Sequence, residues 1–227
     1  MQPTYLPWAG YFNLIKSVDY FVFLDDVQLE KQSWQTRNQY ILGCEKKYIT
    51  IPISKSSKLN TPLTQIYFAK NTFSWQKKSY RKLQAAYNNS NYGDILLKDI
   101  YRFFHDESFF QYSLAEYNIE LIMFFCKKLG IDTKIYRSSE MDFFDKRSSY
   151  IALILDNLQC DTYLSPIGAK KYLYEDRFDN ISNANLIFQN YIPDQYKQKN
   201  CSQFIGSLSI IDVIANIGYQ NCKGYIK

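Results

Sequence analysis

The sequence predicts an α/β protein with a mainly parallel sheet between two helical layers, on three observations. Tyr20 to Leu24 is an unbroken apolar run closed by Asp25 and Asp26, the pattern of a buried strand that delivers carboxylates to its rim. From Ser113 onward, helical and strand-like segments alternate, as helices covering both faces of a parallel sheet require. The chain has 227 residues, 46% hydrophobic and 22% charged, which suits one ordered core rather than a disordered chain. Together these give a three-layer, Rossmann-like, mainly parallel sheet with helical additions. We assign residues 1–227 to a single domain, with a helical subregion at 74–129.

Taken in order, Gln2 to Pro7 is a proline-bounded loop with neither helical nor alternating pattern. A parallel sheet ordinarily carries a strand ahead of such a loop. Here either the loop opens the fold directly or a strand precedes Met1, and the second case predicts that an upstream extension stabilises the chain. Gly10 to Val18 reads as a short helix, and Tyr20 to Leu24 is the first secure strand. Gln28, Arg37, Asn38 and Gln39 form a polar cluster after it. Lys47 to Ile53 is a second strand, closed by Pro52 and a polar loop, Ser54 to Asn60, with Lys55 and Lys58 exposed. Leu63 to Phe68 reads as a third strand near a sheet edge.

Ser74 looks like the cap of a helix that places Trp75, Leu83 and Tyr87 near one face, ending at Asn88 to Asn91. Asp94 caps the next, which runs to Phe104, with His105 at its end as a partner for the helix dipole. Ser113 and Glu116 have capping-box spacing before a helix through Leu129, stopped by Gly130. Ile131 to Tyr136 is a strand, and Ser148 or Ser149 starts a helix through Leu158. Thr162 to Leu164 and Leu186 to Phe188 are short strands. Pro166 and Gly168 open a helix through Tyr172, and Ser209 and Asp212 cap a last helix that Gly218 ends.

The formal charge of +5 favours anionic partners such as nucleotides, phosphorylated sugars or RNA without choosing among them, and no lysine- or arginine-rich tail points to nucleic acid. The five cysteines include no CxxC pair and read as reduced thiols of a cytoplasmic protein. We expect no signal peptide, and the sequence has no apolar run of membrane-spanning length. His105 is the single histidine, which excludes a histidine-based metal cluster. Two adjacent carboxylates, Asp25 and Asp26, could hold a magnesium ion, but no third acidic ligand is obvious nearby, so no tightly bound metal is expected.

The candidate chemistry gathers around the first strand. Asp25 and Asp26 would point to opposite faces of a strand, but beyond its end one can turn inward to bind an amine or take its proton. Asp26 lies farther out and is the favoured base; the bland reading has both acids capping the next turn. Arg37 offers a planar fork for phosphate or carboxylate. Asn38, with Gln28, can donate to a developing oxyanion. Tyr5, Trp8 and Tyr11 can stack on a base or sugar face, and core or lid roles suit them equally. A second candidate is the loop from Ser165 to Gly168, whose backbone N–H groups could cradle an anion neutralised by Lys170 and Lys171, with an ordinary helix cap as the alternative. A third is the aromatic and glutamine-rich stretch from Tyr191 to Phe204, with Gln198, which suits a pocket-closing loop. We expect Asp25, Asp26 and Arg37 to share one pocket with the Ser165–Gly168 loop, since strand-end loops converge on one side of a parallel sheet.

The segment QPTYLPWAGYFNLIKSVDYFVFLDDVQ, followed by SWQTRNQ, resembles the opening of the WbqC-like family, and DTYLSPIGAKKYL, NYIPDQYKQ and SLSIIDVIANIG resemble its later signatures. The shared positions are Gln2, Pro3, Tyr5, Leu6, Pro7, Trp8, Gly10, Tyr11, Asp25, Asp26, Gln28, Trp34, Arg37 and Asn38. The resemblance places Gln2 among the substrate contacts. It implies a role in O-antigen or other surface-polysaccharide synthesis, with transfer of glycine or another acyl group to the amine of a nucleotide-linked amino sugar. The donor implied is an acyl-CoA or an aminoacyl carrier such as tRNA, and the reading leaves room for a homodimer. Members begin with a short hydrophobic strand before the QP pair, where this chain has Met1, and they often carry a histidine where WQKKSY here has Ser79. A weaker resemblance is to nucleotidylyltransferases with a His-x-Gly-His element. PWAGY has Trp8 and Tyr11 at the histidine positions, and neither ring can replace imidazolium on a leaving phosphate. The alternatives to acyl transfer are therefore nucleotidyl transfer or ATP-dependent ligation on the same scaffold, and a non-catalytic sugar-binding assembly protein.

Overall fold

The computed structural model describes residues 1–30, 33–54, 61–69, 74–142, 145–199 and 201–227. Helix α1 (Ala9–Lys16) buries Tyr11, Phe12, Leu14 and Ile15 and leads into strand β1 (Tyr20–Phe23). The next two strands, β2 (Arg37–Leu42) and β3 (Glu45–Thr50), form an antiparallel hairpin across Gly43 and Cys44, whose φ angles are both +59°. So Arg37, Asn38 and Gln39, read as a polar loop cluster, lie in a strand. The strand expected over Lys47 to Ile53 starts and ends earlier, with Ile53 making only an isolated bridge to Phe68. The strand expected over Leu63 to Phe68 is not one. Leu63–Gln65 is a 3-10 turn that buries Leu63, and only Tyr67 and Phe68 make isolated bridges. Residues 55–60, with Lys55 and Lys58, lie outside the described residues.

Helices α2 (Ser74–Tyr87), α3 (Gly93–His105) and α4 (Leu114–Leu129) build the helical body. Ser74 is the first residue of α2 rather than its cap, and the position before it lies outside the described residues. Asp94 sits in the first turn of α3, one residue inside the helix start. His105 closes that helix, its Nδ1 3.1 Å from the Tyr101 carbonyl and its ring stacked on Tyr101 at 3.8 Å. The capping box of α4 is complete: Ser113 N donates to Glu116 Oε2 at 2.7 Å and Glu116 N to Ser113 Oγ at 3.2 Å. Gly130 stops the helix at φ +68°, where a side chain would be strained.

The rest alternates as read, although the strand expected from Ile131 begins at Lys134 and the helix expected from Pro166 begins at Lys170, after a 3-10 turn at Ile167–Ala169. Strand β4 (Lys134–Arg137) pairs in parallel with β1, in the register Tyr20 to Lys134 through Phe23 to Arg137. Helix α5 (Arg147–Asn157), β5 (Thr162–Ser165), α6 (Lys170–Glu175) and β6 (Asn185–Phe188) follow, and β5 and β6 are again parallel. Helix α7 (Ile210–Tyr225) does not end at Gly218. It kinks there at φ +78° and continues; the left-handed backbone favours glycine, and a Cβ at that position would lie 2.9 Å from the Tyr92 ring.

The described strands thus form three two-stranded sheets, two parallel and one antiparallel, in a mixed α/β arrangement. The single mainly parallel sheet expected from the sequence is present as two separate parallel pairs. Two apolar clusters lie behind them. The larger joins α1, β1, the hairpin and α2, α3, α4 and α7, and it is rich in aromatic rings, among them Tyr5, Phe12, Tyr117 and Phe125. The smaller packs Ile151, Ala152, Leu155, Ala169, Leu173 and Phe178 around β5 and β6.

Candidate functional site

At the carboxyl ends of β1 and β4, the apolar run stops and its two acids meet the turn that follows the neighbouring strand. Because the strands are parallel, both loops emerge at the same end. The serines after β4 therefore lie against Asp25 and Asp26, although 112 residues separate Asp26 from Ser138. Asp25 is 1% exposed. Its Oδ1 accepts from the Ser139 backbone N–H at 3.0 Å, its Oδ2 from the Ser139 hydroxyl at 2.8 Å, and its own N–H donates to Ser138 Oγ at 3.2 Å. These bonds fix the turn.

Asp26 is half-buried. Its Oδ1 accepts from the Ser138 hydroxyl at 2.5 Å and its Oδ2 from the Tyr150 hydroxyl, on α5, also at 2.5 Å. Ser138 Oγ also lies 3.3 Å from Asp25 Oδ1, but a hydroxyl has one proton and the shorter contact takes it. Burial and the Asp26 bond push the Tyr150 phenol up to about 12, so at neutral pH it holds its proton and acts as the donor. A carboxylate offers about four lone-pair directions, which leaves Asp26 room for a further partner.

The loop from Gln2 to Pro7 is held by amides. Asn38 Nδ2 donates to the Tyr5 carbonyl at 2.9 Å and the Leu6 carbonyl at 2.8 Å, while its Oδ1 accepts from Gln39 N at 2.8 Å. Asn118, fully buried in α4, donates to the Pro3 and Gln35 carbonyls at 3.1 and 2.8 Å. The Gln2 side chain accepts from Gln35 Nε2 at 2.9 Å, and its carbonyl accepts from the Tyr11 hydroxyl at 2.8 Å. These bonds stabilise Leu6 at φ +44°, a conformation that a branched side chain resists. The structure therefore directs both Asn38 amide protons at backbone rather than at open space, and it buries Tyr5 and Tyr11 in the core. Trp8 is half-buried edge-on to Tyr191 at 5.6 Å, above Gly10, where a Cβ would come within 2.2 Å of its ring.

The remaining sequence candidates are scattered. Gln28 is exposed beside Pro62. Arg37 opens β2 with its guanidinium 4.6 Å above the Tyr48 ring, while its Nε is buried without a partner. Ser165 ends β5 fully buried, and Gly168 is exposed with nothing within 4 Å of where a Cβ would stand. Lys170 is exposed over the rings of Tyr174 and Phe188. Gln198 is inward: its Nε2 donates to the Ile205 carbonyl at 2.9 Å and to Asp212 Oδ2 at 3.0 Å, and its Oε1 accepts from Ile205 N at 2.8 Å. Burial holds the Asp212 carboxyl above its usual range, although Tyr196, Gln198 and Tyr87 all donate to it.

So the structure brings Asp25 and Asp26 together with Ser138, Ser139 and Tyr150, three residues the sequence reading missed. The serine pair lies one residue beyond an expected strand, close to the signal that singled out the aspartates. Two concavities flank β1. One of about 580 Å³ lies at the amino-terminal ends of β1 and β4, opposite the carboxylates. The other, about 420 Å³, is a groove between β1 and β5 walled by α1 and α5. Among the described residues, no cluster of three or more His, Cys, Asp or Glu could hold a metal ion, and no helix is long and apolar enough to cross a membrane.

The description of the WbqC-like protein family matches residues 2–223 of the chain. The chain is also similar to uncharacterized protein Rv1507c of Mycobacterium tuberculosis, 27% identical over 218 residues that make up 96% of this chain and 92% of that one. No solved structure matches it.

Proposed function

The chain belongs to the WbqC-like family, and from that premise we propose that it transfers an acyl or aminoacyl group to the amine of a nucleotide-linked amino sugar, in the cytoplasm, for a surface polysaccharide. One observation supports this above the others. Asp26 is a half-buried carboxylate at a strand-end rim, oriented by Ser138 and Tyr150 and able to accept one more hydrogen bond. In the proposed step the sugar ammonium gives a proton to Asp26, and the free amine attacks the acyl carbonyl. The new C–N bond forms as the C–S bond of an acyl-CoA, or the C–O ester bond of an aminoacyl-tRNA, breaks. The leaving thiolate or alkoxide takes up the proton that the attacking nitrogen sheds as the amide forms. Gln28 or backbone N–H groups donate to the oxyanion. Arg37, or the Ser165–Gly168 loop with Lys170, holds the diphosphate, and Asn38 shapes the loop that carries Gln2 and Trp8.

A binding-only reading has one observation in its favour: both Asp26 oxygens already accept hydrogen bonds within the protein. The experiment that separates the two is incubation with UDP- and dTDP-linked amino sugars and a panel of acyl-CoA and aminoacyl-tRNA donors, read by mass spectrometry of the sugar. Acylated sugar supports transfer; saturable binding of the sugar nucleotide with no product supports the binding role. Asp26→Asn is expected to lower turnover about a hundredfold or more while leaving sugar-nucleotide binding nearly intact, and Arg37→Ala to weaken binding chiefly. Full turnover by Asp26→Asn would remove this carboxylate from the mechanism.

A further inference from the structure

The sequence holds no CxxC pair, but the fold brings two of its cysteines together. Strands β2 and β3 turn through Gly43 and Cys44, both at φ +59°. A two-residue hairpin turn with both angles positive favours glycine, asparagine or aspartate, and a cysteine at its second position is strained. Nothing in the turn itself calls for sulfur; the residue lying against it does. The Cys44 backbone N–H donates to the Cys201 sulfur, and the two thiols are hydrogen-bonded to each other. Cys44 is exposed and Cys201 half-buried, whereas Cys126 and Cys222 are buried, which pushes both of their thiols up to about 12.

Both backbones are held where they meet. The hairpin ladder runs to Leu42 and Glu45, the residues that flank the turn. On the other side, Cys201 N donates to the Gln198 carbonyl at 3.3 Å, and the buried Gln198 side chain is bonded in both directions to the Ile205 backbone. Ser209 N donates to the Gln39 carbonyl of β2 at 3.0 Å, so the stretch from Gln198 to Ser209 is anchored at both ends. The Cys201 sulfur reaches the Cys44 main chain as well as its side chain. Side-chain torsions can therefore bridge the pair without displacing an element.

We infer that Cys44 and Cys201 form a reversible dithiol–disulfide site that takes a low-molecular-weight disulfide as its oxidant and, once oxidised, locks the Gln198–Ser209 stretch onto the β2–β3 hairpin. The exposed Cys44 reacts first. Burial and the Cys44 sulfur push the Cys201 thiol up to about 11, so at neutral pH Cys201 keeps its proton and serves as the resolving group. The Cys44 thiolate, its proton released, attacks one sulfur of the small disulfide; that S–S bond breaks and the leaving thiolate is protonated. Cys201 then attacks the Cys44 sulfur of the mixed disulfide, and its proton passes to the second leaving thiolate. Two protein thiols are oxidised, and one small disulfide is reduced to two thiols. Excess small thiol drives the reverse, so in a reducing compartment the pair is a redox-responsive site rather than a permanent staple. The lock bears on β2, whose Asn38 holds the Tyr5 and Leu6 carbonyls, and it does not depend on the proposed transfer reaction.

The test incubates the reduced full chain with oxidised glutathione, folded and in urea, then alkylates the remaining thiols and maps the peptides without reduction. The folded chain is expected to yield a Cys44–Cys201 cross-link at a concentration about tenfold or more below the one that modifies Cys160, because the second step is intramolecular. Cys201→Ser is expected to retain glutathione on Cys44, and Cys44→Ser to leave Cys201 a thiol. The wild-type map decides even where a variant does not fold. Absence of the cross-link, with Cys44 free or carrying glutathione, would overturn the pair. Equal cross-linking in urea would overturn the role of the fold in setting it. Hydrogen exchange at the Cys201 amide is expected to slow about threefold or more on oxidation; unchanged exchange would overturn the lock.

Discussion

At the carboxyl end of β1 and β4, two carboxylates face two serines and a tyrosine in a mostly dehydrated rim. At the carboxyl end of β5 and β6, an exposed glycine and exposed lysines face solvent beside a buried serine. The two pairs have the same parallel pairing and the same strand length, four residues each. What differs is the mass behind them. The first rim lies on the large aromatic cluster, and the second on the small cluster of Ile151, Leu155, Leu173 and their neighbours. Topology decides where loops emerge, whereas burial decides how strongly the polar groups on those loops interact, because hydrogen bonds to charge strengthen as water is excluded. The Tyr150 hydroxyl ties the two regions together, since α5 belongs to the second cluster while its donor reaches the first rim.

The sharpest way to break this comparison is to remove one polar group from each rim. Asp25→Ala leaves the N–H and the hydroxyl of Ser139 beside an apolar methyl. It is expected to cost about 3 kcal/mol or more in urea unfolding, since bonds to a buried charge and orphaned donors both count. Ser165→Ala removes a hydroxyl that makes a long 3.3 Å contact to the adjacent Pro166 carbonyl and a neutral hydrogen bond with the Tyr163 side chain, and is expected to cost about 1 kcal/mol. Equal costs would show that the two rims carry similar loads.

Tyr150→Phe tests the tie itself. The substitution keeps the ring, which is 5% exposed, and deletes only the donor to Asp26. A loss of about 1.5–3 kcal/mol is expected, the range for a hydrogen bond to a charged acceptor. Hydrogen exchange should show the loosening on both sides, in α5 and in the Asp26 turn. Loosening of α5 alone would mean that Asp26 is held by Ser138 without help.

Much of this fold follows from local signals, and those were legible. The capping box of Ser113 and Glu116, the Gly130 stop and the apolar runs of β1, β5 and β6 are each decided within a few residues. Strand β2 was hidden because its inward positions include Asn38, a polar residue spent on the Tyr5 and Leu6 carbonyls. Leu63 to Phe68 misled in the opposite sense: its apolar residues pack as a turn against α4, where Leu114 N donates to the Ile66 carbonyl at 2.7 Å. The site divides along the same line. Asp25 and Asp26 stand out because acids after an apolar run are local, whereas Ser138 and Tyr150 matter only once β1 is known to lie beside β4 and α5. Nothing within either segment states that pairing.

A third carboxylate sharpens the contrast between a rim open to partners and a site closed by the fold. Asp212 sits in the first turn of α7, 1% exposed, with Tyr196 donating at 2.6 Å. Its folded carboxyl titrates above its ordinary value of 3.8 because burial outweighs its donors. The folded state therefore holds this proton more tightly than the unfolded chain does. The associated stability is fully present below the ordinary value and is lost as pH rises through the folded value. Asp212→Asn does not titrate, so its unfolding free energy should lack this loss, and the difference between variant and wild type should grow with pH across that window. Parallel stability–pH curves for the two proteins would show that Asp212 has no raised value.

The smallest effect is expected at the second rim. Lys170 is exposed, its ammonium 5.7 Å from the Tyr174 ring and 5.6 Å from the Phe188 ring. Such a contact at an exposed site contributes about 0.5–1 kcal/mol at most, and surface substitutions generally fall within about 0.5 kcal/mol. Lys170→Ala should therefore melt almost as the wild type does. If this rim holds the diphosphate of a sugar nucleotide, affinity should nonetheless fall several-fold, and the salt dependence of binding should weaken, because one charge facing the phosphates has gone. A loss of stability comparable to that of Tyr150→Phe would show that the second rim is structural after all. Unchanged affinity with unchanged stability would leave the phosphates to Arg37, on the hairpin that carries Asn38, and would confine the site to the larger cluster.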